Sequence, residues 1–171
     1  PVVTGVALVR REMPTGEGAL YVVVQVVGAC AGAIVANLMF DLPAVETSTH
    51  VRSGAGVWLG EVVATAGLLL VIGALTRTGR GHLGPVFVPA WIGAAYFFTA
   101  STSFANPAVT IGRSLTDTFS GIAPQSVPLF VVFQVLGAAV GAGLTEYFYP
   151  RRGVRPEPLD LPDAVHDGPV R

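Results

Sequence analysis

Between Glu17 and Asp41 the chain runs for 23 residues, Gly18 to Phe40, without a charge. At 1.5 Å per residue such a helix is about 35 Å long, enough to cross a hydrocarbon core of about 30 Å, so the pattern predicts a transmembrane span. A second apolar stretch, Gly54 to Thr76, is interrupted only by Glu61 and carries Trp58 near the end where amphipathic rings favour the headgroup level. It predicts a second span with one intramembrane carboxylate. His82 to Arg113 encloses 30 uncharged residues, too many for one crossing, and Pro85, Pro89 and Pro107 break the run. The reading is a helix from about Pro85 to Ala100, followed by a re-entrant segment. Asp117 to Glu146 encloses 28 more, from which Gln125 to Phe148 reads as a last span, ended by Tyr147, Tyr149 and Pro150.

Four crossings place Arg10 and Arg11, Arg77 and Arg80, and Arg151, Arg152 and Arg155 on one side, which the retention of basic loops makes cytoplasmic. The loop from Asp41 to Gly54, with Arg52 alone, then falls outside. Composition agrees with a membrane protein: of 171 residues 51% are hydrophobic and 12% charged, which excludes a water-soluble globule. A net charge of -1, with ten basic residues scattered in ones and twos, excludes a nucleic-acid footprint. Cys30 is a lone thiol and the three histidines are far apart, so no metal site or cofactor is expected. Ser101, Ser103 and Thr110 have no histidine within reach, and no catalysis is expected. The residues after Pro150, with four more prolines and four acidic residues up to Arg171, read as a disordered cytoplasmic tail over 150–171.

The sequence also matches itself. Pro1-Val2-Val3-Thr4 parallels Pro107-Ala108-Val109-Thr110, and the run from Gln25 to Ala33 parallels Gln134 to Ala142. The later copy reads whole as helix, helix, re-entrant Asn106-Pro107-Ala108, helix, over 55–149. Three crossings per copy require opposite topologies in the membrane. The earlier copy, over 1–40, holds only a re-entrant half-helix and one span, separated from the later copy by the extracellular loop 41–54. The chain starts at Pro1 without a basic leader and is expected to be a fragment lacking two upstream helices, with Asn directly before Pro1.

Asn106-Pro107-Ala108, the partial copy Pro1-Val2-Val3-Thr4, the paired Gln-x-x-Gly-x-x-x-Gly helices and Glu61 together resemble the aquaporin and aquaglyceroporin (major intrinsic protein) family. The resemblance implies an all-α membrane protein with an inverted repeat: here four spans plus two half-helices, six plus two in the full form. It implies a homotetramer in a bacterial plasma membrane, passing water and small neutral solutes through a pore in each subunit. Ser101 to Ala105 is expected to be extended, with Asn106 capping a half-helix over about Pro107 to Thr116. Pro1 and Val2 would open the partner half-helix from the other face.

Where most similar family members carry an arginine after the second Asn-Pro-Ala, this chain has Val109. The other filter position, counted back from Asn106, is Gly93 or Ala94, either of them small. The resulting aperture is expected to be wide and to resemble that of a bacterial subgroup associated with arsenic-resistance operons, favouring glycerol-like polyols, neutral metalloid acids or methylated arsenicals. Arg113, one turn beyond Val109, either guards the outer vestibule or pairs with Asp117 at i+4. Glu61 is implied to hydrogen-bond the re-entrant backbone. The small-residue pairs Gly28/Gly32 and Gly137/Gly141 are expected to pack the two copies together. Two rival readings are a proton-coupled secondary transporter using Glu61 and a fragment inactive by itself.

Overall fold

The computed structural model describes residues 1–151; most of the proposed tail lies outside them. Every regular element among the described residues is helical. The six helices are α1 (Val2–Val9), α2 (Thr15–Met39), α3 (Ala55–Arg77), α4 (Gly84–Phe98), α5 (Pro107–Gly112) and α6 (Val127–Phe148). Three-residue 3-10 turns at Gly81–Leu83 and Pro124–Ser126 lead into α4 and α6, and another, Arg113–Leu115, prolongs α5.

The apolar runs become helices much as their lengths require, with shifted ends. Pro14 stands just before α2, which therefore takes Glu17 into its first turn, where the carboxylate meets the positive end of the helix dipole. Three helices, α2, α3 and α6 with its 3-10 lead, are long and apolar enough to cross a membrane. The fourth expected span, α4, has 15 residues; its 3-10 lead extends it to roughly 28 Å, close to the hydrocarbon thickness. Along α2 the apolar side chains face outward, Val23 at 58% and Val27 at 62% exposure. A helix that is apolar all round and leaves its side chains uncovered requires a nonpolar surrounding.

Packing centres on α3, which α4 and α6 both flank. Gly137 and Gly141 bring the α6 backbone against α3: a Cβ on Gly137 would lie 2.7 Å from the Val62 carbonyl oxygen, and one on Gly141 would collide with that of Ala66. Gly67 of α3 seats the Trp91 ring of α4, and the Trp91 indole N–H donates to the Ala64 carbonyl at 2.9 Å. Among the described residues the small-residue pairs do not pack the two copies together as expected. The α6 glycines are taken up by α3, and nothing lies within 4 Å of a Cβ placed on Gly28 or Gly32.

The segment from Asp41 to Gly54 has no regular structure and ties the top of α2 to the far end of α5. Asn37 donates to the Leu115 carbonyl at 3.0 Å, Ser48 N–H to Ser114 at 3.1 Å and Ala123 N–H to His50 at 2.8 Å. Asp117 anchors the same segment, accepting from the Thr49 amide at 2.8 Å and from its hydroxyl. Those bonds, the backbone one foremost, hold its carboxyl below the usual carboxylate range. At the opposite end Glu146 receives both Arg10 and Arg77, and Arg151 reaches Glu12 at 3.0 Å. Three of the arginines expected on one side of the membrane, Arg10, Arg77 and Arg151, thus make their ion pairs at one end of the described fold.

Candidate functional site

Between α4 and α5 the chain turns back on itself with its backbone buried. Ser101, Ser103, Phe104 and Ala105 are all under 4% exposed. The expected extended conformation is not adopted: Thr102, Ser103 and Ala105 lie at positive φ, 60°, 49° and 52°. For residues with a Cβ each such conformation costs about 1 kcal/mol or more, so the surroundings must enforce it. Glu61, fully buried on α3, does so by accepting from the Phe104 and Ala105 amides, both at 2.9 Å, through its two oxygens. Gln134 of α6 donates to the same carboxylate at 2.6 Å and to the Thr110 hydroxyl at 2.8 Å. The sequence resemblance implied the backbone role of Glu61; Gln134 as its partner was not foreseen. A buried carboxylate with three donors is satisfied without a counter-ion beside it.

Asn106 begins α5 with extended backbone, and its side-chain oxygen accepts from the Ala108 amide at 2.9 Å. That bond fixes which way the carboxamide points: the oxygen is engaged, so the NH2 group remains as a donor. Pro107 fills the first helical position, where the missing N–H is an orphan anyway. Val2 at the start of α1 shares one buried cluster with Ala105, and Pro1 and Pro107 line one groove, so the beginnings of α1 and α5 converge. Gln25 donates to the Thr4 hydroxyl at 3.1 Å, the same bond that Gln134 makes with Thr110.

Val109 is partly exposed and lines a cavity of about 510 Å³ with Ala29, Ala33 and Asn37 of α2 and with Gly112 and Arg113. On α4, Gly93 is partly exposed, a Cβ placed on it would meet nothing within 4 Å, and Ala94 is exposed. Arg113 does not pair with Asp117, whose oxygens are occupied by Thr49 and Ser48. It turns to α4 instead: its Nη2 donates to the Tyr96 hydroxyl at 3.1 Å, and its guanidinium carbon lies 4.3 Å from the centre of the Phe104 ring.

A second arginine, unforeseen in the sequence, sits on the same ring. Arg52 is 6% exposed, and its guanidinium carbon lies 5.0 Å from the Phe104 centre. It donates to the backbone oxygens of Gly121 at 2.7 Å, Phe119 at 2.6 Å and Ser101 at 3.4 Å, and to the Thr102 hydroxyl at 3.4 Å. Burial pushes its pKa down from the ordinary arginine value, the charge of Arg113 adds to this, and Glu61 opposes it. Arg52 stays charged because an arginine starts so high.

The chain's first 104 residues match the family model described as major intrinsic protein. The aquaglyceroporin AqpS of Rhizobium meliloti (strain 1021) is 46% identical over 147 residues, covering 86% of this chain and 63% of that relative's length. No solved structure matches the chain.

Proposed function

Because the chain belongs to the major intrinsic protein family, the aquaporins and aquaglyceroporins, we propose that it forms the greater part of a passive membrane channel for water and small neutral solutes. The chain spans 63% of the length of its curated relative, an aquaglyceroporin, and the solutes proposed here are glycerol-like polyols, neutral metalloid acids or methylated arsenicals. The observation that carries the reading is the meeting of two short helices inside a membrane fold, with Val2 and Ala105 in one cluster and Pro1 and Pro107 on one groove. Non-helical backbone at that depth is tolerated only beside protein or a water-filled path. The shared Gln–Thr bonds, Gln25 to Thr4 and Gln134 to Thr110, support an inverted repeat over 1–40 and 55–149.

In this reading each solute accepts a hydrogen bond from the free NH2 of Asn106, and the α1 and α5 starts disfavour cations. Val109, Gly93 and Ala94 leave the aperture wide. The channel is proposed to assemble as a homotetramer in a bacterial plasma membrane. A proton-coupled transporter using Glu61 is disfavoured because that carboxylate is committed to two backbone amides and Gln134.

Stopped-flow flux through the full-length protein in proteoliposomes tests the proposal. Flux linear in the solute gradient and indifferent to a pH gradient is the expected result; saturation with pH-driven accumulation would instead establish a transporter. Val109→Arg should reduce glycerol flux by about tenfold while sparing water, since a fixed charge with several donors narrows the opening. Equal loss of every solute would show that Val109 lies off the aperture.

A further inference from the structure

Two guanidinium groups flank the Phe104 ring, and neither has a carboxylate within salt-bridge distance among the described residues, whose ion pairs all involve Arg10, Arg77 or Arg151. Their hydrogen bonds differ. Arg52 spends its donors on three backbone oxygens and one hydroxyl, which fixes it as a buried charge joining the 41–54 segment to the re-entrant turn and to the loop before α6. Arg113 spends one of its five N–H groups, on a neutral phenol, and lines the 510 Å³ cavity. Glu61, whose charge opposes the pair, is occupied by Phe104, Ala105 and Gln134. The outcome is a doubly positive, donor-rich mouth one helical turn from Val109.

We propose that Arg113 is a specificity-determining residue at this mouth, binding singly charged oxyanions and oxygen-rich neutral solutes before they reach Val109, with Arg52 as the positioning residue. The proposal rests on the channel reading above. Arg52 acts through Phe104: it holds the ring on which the Arg113 guanidinium lies, and it supplies a second charge that Arg113 cannot neutralise. Tyr96 takes one N–H of the Arg113 guanidinium, and Arg113 is among the residues that line the cavity. A planar fork with unused donors suits two oxygens of one tetrahedral or trigonal oxyacid.

The probe is methylphosphonate monoanion, applied to the full-length protein in proteoliposomes while glycerol and water fluxes are read. Methylphosphonate on the side bearing residues 41–54 should slow glycerol flux reversibly, more strongly at low ionic strength, and be without effect from the opposite side. Arg113→Met should raise the half-blocking concentration by about tenfold or more. Tyr96→Phe, which keeps the charge, should preserve the block. Arg52→Lys, which keeps the charge but loses the forked contacts, should raise the half-blocking concentration, whereas a purely structural Arg52 would change water and glycerol flux together and leave the block intact. Should Arg113→Met fail to assemble, Arg113→Gln provides the same comparison. An unaltered block in the Arg113 variant, or no block in the parent protein, overturns the proposal. Absence of any glycerol or water flux in the parent overturns the channel reading instead, so the two failures are distinct.

Discussion

Glu61 has no exposure to solvent, yet three donors converge on it. Replacing it by glutamine turns an acceptor-only group into one that presents an NH2 to a backbone amide, leaving at least one buried N–H unpaired. Glu61→Gln should therefore destabilise the folded protein by about 2 kcal/mol, lowering its thermal midpoint in detergent. Unchanged stability accompanied by loss of pH-driven uptake would reassign Glu61 as a proton carrier. Glu61 and Asn106 stood out in the sequence, the first because it interrupts an apolar run and the second because Asn106-Pro107 is a helix start, while the backbone role of Glu61 was implied by the family resemblance. Arg52 and Tyr96 did not stand out. Their contacts join residues 49 positions apart, Arg52 with Ser101, and 17 apart, Tyr96 with Arg113, and depend on loop paths that no periodicity encodes. The alternative of an Arg113–Asp117 pair fails for a similar reason: Asp117 finds its donors on Thr49, far away in the chain.

Helices were readable from the lengths of their apolar runs, and their ends from prolines and charges; the form of the re-entrant turn was not. Positive φ is usually signalled by glycine, whereas Thr102, Ser103 and Ala105 adopt it under the constraint of Glu61 from another helix. Small-residue spacing likewise announces that a helix can approach a neighbour, without naming the neighbour. Its two copies make opposite predictions. Gly137→Leu would drive a side chain into the Val62 backbone and should cost about 3 kcal/mol through displacement of α6 from α3. Within these 171 residues, Gly28→Ala meets nothing within 4 Å among the described residues and should be neutral or stabilising by about 0.5 kcal/mol through helix propensity. Thermal melts of both variants in detergent check the contrast; equal destabilisation would mean that α2 carries a close partner on its Gly28 face.

Across the whole molecule, charge is sorted by end. Arg10 and Arg77 converge on Glu146 beside the Arg151–Glu12 pair, while the 41–54 segment, Arg52, Arg113 and Asp117 gather at the other end. Basic residues resist translocation, so the Arg10–Arg77 end should face the cytoplasm and the Arg52 mouth the exterior. The contribution of Arg52 to that rule is small, since it is a single residue bonded inside its loop rather than a cluster flanking a span. Thiol labelling decides the orientation. In a Cys30→Ser background, Phe119→Cys places a thiol where the side chain is 79% exposed beside the Arg52 mouth, and Thr78→Cys places one at the opposite, exposed end of α3. A membrane-impermeant maleimide added to intact cells should modify the thiol at position 119 and reach position 78 only after permeabilisation. The reverse pattern would turn the molecule over, and would move the side of the methylphosphonate block with it, because both follow from which end carries the 41–54 segment.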